Sequence, residues 1–381
     1  MIIYFLSNYL KADGYGQYGY IYNNALLFVQ ITSLGLISTN QYFITEDKSL
    51  TSKIWSNSII VCIISAIVSF LFFQLIQINE NSNWLSGVAF ALLCSFTLYN
   101  MMCKSVVMGL DQIKETNRYE SFGKLLNLIL IVLLISFSII DFKKALVILI
   151  FSTIILSVLY SHNIYKRNFS KFKPNLNTLR ENLGFSFQLH VVNLIAFLVY
   201  RIDIYFVKNY LEPKDMGVYS LVVGLAENMN IIGTVISGLM INKFAKLSTQ
   251  SEMADKTLNI VKYNSMIMFA TFIILLPFIS IIFDLLFHKD YSIGVIPFII
   301  LLSASILLSL ESIIAQFIYK IKLVPFLIKH WIISLALNII CNFLLIKSYG
   351  LIGVSISTLV AYGYVFFVIL FKFLSIKKQY R

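Results

Sequence analysis

The chain has 381 residues, of which 59% are hydrophobic and 13% are charged, and its mean hydropathy is +0.82. Soluble domains carry about 25% charged residues, so this composition excludes a soluble protein and predicts an all-α integral membrane protein. The net charge of +12 does not indicate nucleic-acid binding, because the basic residues lie in short loops between apolar segments.

Apolar runs of about 20 residues, the length that spans a bilayer, follow one another along the chain. The first run, residues 1–10, has half that length and lacks the charged start and cleavage site of a signal peptide. We interpret it as the outer half of a first helix whose beginning is missing, through a late start codon or a truncated gene. Eleven complete spans are predicted at 17–38, 54–76, 84–107, 121–140, 144–163, 185–207, 217–242, 262–284, 293–317, 325–346 and 351–372.

A basic polar connection over residues 164–184 divides these spans into two groups. We predict an N-lobe over residues 1–163, with a truncated first helix and five complete helices, and a C-lobe over residues 185–381. The C-lobe holds the seventh to the twelfth helix and a basic tail.

A repeated segment supports this two-lobed organisation. Residues 4–18 and 205–219 each join one apolar segment to the next, and seven of their fifteen aligned positions are identical. Symmetry at half the chain length indicates a two-lobed transporter, and the alternative is a shared way of turning a hairpin at a membrane surface. The identical pairs are Tyr4/Tyr205, Phe5/Phe206, Asn8/Asn209, Tyr9/Tyr210, Leu10/Leu211, Gly16/Gly217 and Tyr18/Tyr219.

The loops on the two sides of the predicted spans differ in charge. One set holds 22 Lys and Arg residues and the other set holds 7. Short basic loops stay inside the cell, so the first set, together with the C-terminal tail, is predicted to be cytoplasmic.

Motifs for enzyme chemistry are missing from the sequence. Gly14–Gly19 fits the spacing of a dinucleotide-binding fingerprint, but no strand precedes it, and its glycines are better explained by a tight turn and close helix contact. We find no P-loop, metal motif or nucleophile elbow, and therefore expect no enzyme, no cofactor and no metal site. The four cysteines, Cys62, Cys94, Cys103 and Cys341, lie singly in apolar runs and form no ligand spacing.

Charged residues inside spans are the most informative positions. A charge at the bilayer centre costs about 2.5–3.5 kcal/mol on insertion scales, so it usually faces a polar cavity. Arg201 and Asp203 lie in the outer third of the seventh span, and Glu227 lies ten residues into the eighth, near the midplane. Residues two apart on a helix point about 200° from each other, so Arg201 and Asp203 cannot simply pair.

Uncharged polar side chains continue at helical spacing beside these charges. Such residues either line a cavity or form interhelical hydrogen bonds worth about 0.6 kcal/mol each. The stripes are Asn230, Thr234 and Ser237 after Glu227, then Asn23, Gln30 and Ser33 on the second helix, and Ser305, Ser309, Ser312 and Gln316 beside Glu311 on the tenth.

Several motifs, taken in their order and spacing, resemble one family. Leu10–Tyr18 resembles the Leu-Gly-Pro-x-x-Tyr-Gly-x-Tyr turn of the polysaccharide biosynthesis flippases, although Ala12 replaces the usual proline. These flippases are the Wzx-type members of the MOP exporter superfamily, which also contains the MATE drug exporters and the lipid II flippases. Further resemblances are Gly109–Gln112 with Asn127, Tyr200–Asp203 with Gly217–Ser220, and Asn338 and Asn342 with Tyr349–Gly353.

The resemblance implies a fold of two six-helix lobes related by pseudo-two-fold symmetry. It implies a flippase that carries undecaprenyl-pyrophosphate-linked oligosaccharide units across the bacterial cytoplasmic membrane for surface polysaccharide such as O-antigen or capsule. Alternating access would be coupled to H⁺ or Na⁺. A polysaccharide polymerase and chain-length machinery are further expected partners.

The resemblance also suggests roles for individual residues. Arg201 would contact the pyrophosphate through forked hydrogen bonds, with Asp203 as its orienting counter-charge. The expected substrate-binding residues are Arg201, Asp203, Asn23, Gln30 and Asn230, and the expected ion-coupling residues are Glu227 and Glu311.

Other functions stay open at this point. A MATE-like exporter of cationic compounds would depend on Glu227 but not on Arg201. A membrane glycosyltransferase or polymerase is disfavoured, because the sequence has no long outer loop. A degenerate, non-transporting remnant is a third reading, prompted by the short first helix.

Overall fold

The computed structural model describes residues 1–76, 84–166, 172–244, 247 and 249–379. Within these ranges the chain forms helices and no β-strand, which confirms the all-α prediction. The middle of the basic connection, residues 167–171, and the last two residues, Tyr380 and Arg381, lie outside the described ranges.

The helices are α1 (Ile2–Thr32), α2 (Leu36–Glu46), α3 (Thr51–Ile76), α4 (Trp84–Gly109), α5 (Ile113–Ser136), α6 (Phe142–Lys166), α7 (Leu176–Tyr210), α8 (Pro213–Phe244), α9 (Gln250–Leu275), α10 (Ile279–Leu286), α11 (Val295–Lys320) and α12 (Val324–Gln379). Short 3₁₀ turns lie at Lys48–Leu50, Leu276–Phe278 and Lys289–Gly294.

Nine helical segments of the described chain are long and apolar enough to cross a membrane, or ten when the bent pair α1 and α2 counts as one. A helix suits a bilayer because it satisfies all of its backbone hydrogen bonds internally. Two predicted spans, 325–346 and 351–372, are joined without a loop inside α12. They meet at Gly350, whose φ of 53° and ψ of −132° suit a residue without a Cβ atom.

The predicted span 17–38 is wrong at its end. α1 stops at Thr32, and α2 continues at an angle of 50°. Leu34 and Gly35 both have positive φ, 49° and 76°, which a continuous right-handed helix does not allow. The predicted half-helix over residues 1–10 forms the start of α1 and is joined to the rest of α1 at Lys11, where φ is 56°.

The chain divides into two compact units. Unit 1 comprises Met1–Tyr9 and Ile21–Leu194, and unit 2 comprises Leu10–Tyr20 and Ile195–Arg381. α7 therefore begins in unit 1 and ends in unit 2. The predicted lobe boundary at residues 164–184 stays a prediction.

Unit 1 is built around α4, whose buried side chains include Leu98 and Met102. Amide groups connect its other helices: Asn40 of α2 bonds Ser58 of α3 at 3.1 Å and accepts from Asn182 of α7 at 2.7 Å. These amides therefore serve the interhelical hydrogen bonding that is the alternative to a cavity role.

Within unit 2, residues 10–18 of the first copy of the repeated segment contact the second copy. The backbone of Gly217 lies so close to Ala12 that an added Cβ atom would overlap the Ala12 carbonyl oxygen. A Cβ added to Gly16 would lie 2.8 Å from the Gly217 nitrogen. The predicted close helix contact at these glycines is therefore present, and it positions the start of α8 against α1.

Candidate functional site

Unit 2 contains an ion pair between α7 and α8. Arg201 Nη1 lies 2.9 Å from Glu227 Oε1, and Arg201 Nη2 donates to Glu227 Oε2 at 3.2 Å. Two parallel N–H···O contacts of this kind form a forked pair, which is stronger and more directional than a single bond. The side chain of Arg201 is 16% exposed and that of Glu227 is 41% exposed, so the carboxylate is the accessible half.

Aromatic rings surround this pair. The Arg201 guanidinium lies 5.9 Å from the centre of the Phe197 ring, within the range of a cation–π contact. Tyr200 packs edge-on against Trp331 and Tyr362, with ring centres 5.7 and 5.5 Å apart. The guanidinium thus lies against the Phe197 ring, close in sequence to an aromatic cluster centred on Tyr200.

Asp203, two residues further along α7, lies in a different environment. Tyr219 of α8 donates its hydroxyl to Asp203 Oδ2 at 3.0 Å, and Asn342 of α12 donates Nδ2 to Oδ1 at 2.6 Å. The Thr358 hydroxyl, also on α12, donates to Oδ2. Asp203 is 2% exposed, and each of these three partners is uncharged.

The role expected for Asp203 as the counter-charge of Arg201 is therefore corrected. Glu227 supplies the carboxylate within ion-pair distance of Arg201, whereas neutral donors from α8 and α12 surround Asp203. The cause is helical geometry, because two positions along a helix turn the side chains to opposite faces.

The surroundings of Asp203 offer oxygen atoms that suit a small cation. Asn342 also donates to Asn338 Oδ1 at 2.8 Å, and the Thr358 hydroxyl oxygen lies 3.2 Å from the Val354 carbonyl oxygen. The buried Oδ1 atom of Asn342 accepts no hydrogen bond in the described structure. A carboxylate, amide oxygens, a hydroxyl and a carbonyl form an all-oxygen donor set, which hard cations prefer and which soft metals do not.

Clusters with the composition of a transition-metal site do not occur among the described residues, where no group of three His, Cys, Asp or Glu side chains could hold a metal ion.

Glu311 lies on α11 and is 4% exposed. Within the described ranges it forms no hydrogen bond or ion pair, and Tyr200 and Tyr319 are close enough to interact with its charge. Ser309 on the same helix packs against Gly233 of α8, where an added Cβ would meet the serine backbone. α8 and α11 therefore approach closely at Ser309, two residues before Glu311.

The remaining predicted site residues do not all fall in one unit. Asn230 is half-buried on α8 in unit 2, while Asn23 and Gln30 are half-buried on α1 in unit 1. The substrate-binding roles of these three residues stay predictions. A groove of about 490 Å³ lies elsewhere in unit 1, lined by Trp55, Phe96, Tyr99, Ser157, Val158, Ser161, His162 and Tyr165.

The partners of Asp203 were not predicted as site residues. Asn338 and Asn342 are spaced four apart on an apolar helix, which places two amides on one face, and that spacing is a signal. Tyr219 is one of the identical positions of the repeated segment, whereas Thr358 gives no signal, because single hydroxyl residues are common in membrane helices.

A family model described as "Polysaccharide biosynthesis protein" matches residues 1–242, more than half of the chain. A search of curated proteins returned no match.

Solved structures share the fold. An inward-facing multidrug resistance MATE family transporter of the MOP superfamily superposes with a TM-score of 0.73 and 13% identity, over 98% of this chain and 95% of its own. The lipid II flippase MurJ, in an inward closed conformation, has a TM-score of 0.72 and 16% sequence identity, over 97% of this chain and 84% of its own. A MOP superfamily transporter from Pyrococcus furiosus, described as having a binding pocket of reverse polarity, has a TM-score of 0.62 and 13% sequence identity, over 99% of this chain and 94% of its own.

These likenesses establish the fold of the chain. It is a multi-pass membrane protein with a MOP-superfamily fold, as predicted. The structures that it resembles are transporters and a flippase, which agrees with the prediction that it is not an enzyme.

Proposed function

The chain belongs to the polysaccharide biosynthesis protein family, and on that premise we propose that it is a flippase for lipid-linked oligosaccharides. Its substrate would be an undecaprenyl-pyrophosphate-linked repeat unit, moved across the bacterial cytoplasmic membrane by ion-coupled alternating access. The C-terminal tail would lie in the cytoplasm. Released units would pass to a polysaccharide polymerase and its chain-length machinery.

The observation that carries the proposal is the Arg201–Glu227 pair. A guanidinium with five N–H donors in a fixed fork matches the oxygen atoms of a phosphate group better than an ammonium does. The pair is partly exposed, so an anion can reach it, and the Phe197 ring packs against the guanidinium. A site built only for cationic drugs would have no use for this arginine.

We further propose that Asp203, which the sequence analysis assigned to substrate binding, is the principal coupling site in place of Glu227, and that Na⁺ is the ion. Burying a carboxylate with only neutral donors is costly unless a cation or a proton neutralises it. Asp203, Asn342 and Thr358 would hold Na⁺ together with the Asn338 amide oxygen and the Val354 carbonyl. Glu311, buried without a charged partner in the described ranges, is the second coupling candidate, through proton exchange.

Complementation tests the proposal. In a bacterium that lacks its own oligosaccharide flippase, the wild-type chain should restore surface glycan, and Arg201→Ala should abolish it at equal protein level. Arg201→Lys keeps the charge but loses the fork, and it should restore only part of the glycan.

The same strains distinguish the flippase from the alternative, a MATE-like exporter of cationic compounds. A drug-susceptibility panel in which wild type and Arg201→Ala protect equally, with no restored glycan in either strain, would favour a MATE-like exporter and contradict the flippase. Expressing the chain with glycan machinery from several bacteria guards against a mismatched substrate.

A further inference from the structure

We propose that Glu227 is an internal surrogate for the anionic group of the substrate, occupying Arg201 until an incoming pyrophosphate displaces it. The inference rests on the proposed flippase function and adds to it a device that limits how tightly the substrate is held.

The first step of the argument is the geometry of the pair. Both oxygens of Glu227 face two N–H groups of Arg201, at 2.9 and 3.2 Å. A phosphate group would use the same fork, because carboxylate and phosphate bind guanidinium in the same bidentate way. These donors cannot serve both anions at once, so binding of a phosphate there requires Glu227 to leave.

The second step is the difference in exposure between the partners. Arg201 is the more buried, at 16%, and Phe197 supports its guanidinium, whereas Glu227 is 41% exposed. A carboxylate with this exposure can leave the pair with less rearrangement of its neighbours than a more buried guanidinium can. Glu227 is therefore the movable half.

The third step concerns the other charged and polar groups nearby. Tyr200 and Tyr362 both lie within electrostatic reach of Glu227, as does Tyr15 of the repeated segment in unit 2. The surroundings of the carboxylate therefore include polar hydroxyl groups as well as apolar side chains.

The consequence is a site whose charges cancel when no substrate is bound, and in which Glu227 competes with the substrate anion for Arg201 when substrate is present. A flippase must release its ligand on the far side, so tight ground-state binding gains no rate. Return of Glu227 to Arg201 would assist release of the pyrophosphate. Removing the surrogate should therefore make binding tighter and turnover slower, the opposite of the usual effect of a site mutation.

The experiment uses the purified full-length protein in detergent. Binding of labelled inorganic pyrophosphate and of farnesyl pyrophosphate is measured for wild type, Glu227→Gln, Glu227→Asp and Arg201→Ala. Glu212→Gln is the matched control, because Glu212 also pairs with a basic residue, Lys214, but is 68% exposed in the turn between α7 and α8. Size-exclusion profiles and thermal unfolding verify that each variant is folded.

Glu227→Gln should bind both probes about tenfold more tightly than wild type, because the lost competitor is a charge-assisted hydrogen-bonded group. Glu227→Asp, with a shorter reach to Arg201, should lie between the two. Arg201→Ala should lose the binding, and Glu212→Gln should match wild type. In complementing cells Glu227→Gln should export glycan more slowly than wild type.

Two results would overturn the inference and leave the flippase function standing. The first is binding by wild type that depends on Arg201 but is equal or weaker in Glu227→Gln. The second is tighter binding by Glu227→Gln of farnesyl pyrophosphate but not of inorganic pyrophosphate, because the substitution would then act on the lipid tail and not on the phosphates. Restored glycan in cells, with no pyrophosphate binding by any variant, would overturn both the surrogate and Arg201 as the anion contact.

Discussion

Two positions on α7, only two residues apart, lie in opposite environments. Arg201 faces a carboxylate that is partly exposed, in a forked ion pair. Asp203 is almost fully buried and accepts hydrogen bonds from Tyr219, Asn342 and Thr358, none of which is charged. One face of the helix therefore balances its charge within the protein, and the other has no basic partner among these contacts.

This difference indicates which ligand each face suits. A guanidinium that already holds an exchangeable carboxylate suits an anion, and a buried carboxylate among oxygen atoms suits a small cation. A substrate anion and a coupling cation would then bind about half a helical turn apart along α7, on opposite faces of the helix. The predictions below test that separation.

The largest expected contrast is between Asp203→Ala and Glu227→Ala. Asp203→Ala leaves three buried donors without an acceptor and should lower the free energy of unfolding by about 3–5 kcal/mol. Glu227→Ala removes the more exposed half of the ion pair but leaves Arg201 without it, and should cost less, about 1–2 kcal/mol. Thermal unfolding of the purified variants measures both, and equal losses would contradict the contrast.

A second contrast compares two glycines of α8, one packed against α1 and the other without near neighbours. Gly217→Ala places a methyl group into the Ala12 carbonyl and should destabilise the protein by about 1–3 kcal/mol, because the backbones must separate. Gly238→Ala on the same helix meets nothing within 4 Å and should be neutral or slightly stabilising. Unfolding temperatures of the two variants, measured side by side, provide the test. A tolerated Gly217→Ala would exclude the close contact.

The cation face should respond to Na⁺. Replacing K⁺ by Na⁺ at constant ionic strength should stabilise wild type by about 1–3 kcal/mol when the ion is in excess of its dissociation constant. Asp203→Asn should lose this response, whereas Arg201→Ala should keep it. Thermal unfolding in the two salts distinguishes them. A response that survives in Asp203→Asn would place the ion elsewhere, with Glu311 as the next position to replace.

The smallest effect is expected at Thr358. Thr358→Val removes one hydroxyl donor from Asp203 while keeping the shape of the side chain, and it should cost about 1 kcal/mol. Thr358→Ser keeps the hydroxyl and should retain the Na⁺ response. Differential scanning calorimetry measures the unfolding temperature of both variants in Na⁺ and in K⁺. A Thr358→Val variant that responds like wild type would remove Thr358 from the proposed ligand set.

The sequence was informative about which residues matter and less so about their partners. Charges within apolar spans are costly, so Arg201, Asp203, Glu227 and Glu311 could be singled out without a structure. The pairing of Arg201 with Glu227 required knowing how α7 packs against α8, which helical periodicity does not give.

The partners of Asp203 show the limit most clearly. Asn342 and Thr358 lie 139 and 155 residues further along the chain, and hydropathy contains no information about which distant helices meet. The boundaries of the membrane spans were easier to predict than these contacts, because the boundaries depend on local composition. The break between α1 and α2 escaped prediction, because positive φ at Leu34 has no signature in an apolar run.

The contact between Gly16 and Gly217 has a consequence for how the protein is made. Unit 2 includes Leu10–Tyr20, a segment that leaves the ribosome before any other part of that unit. At about 5–20 residues per second, the roughly 200 residues up to Gly217 take about 10–40 s to synthesise. For that time the early segment must stay in the membrane without its final neighbour. A membrane insertase or chaperone that shields it would raise the yield of folded protein without contacting the mature site.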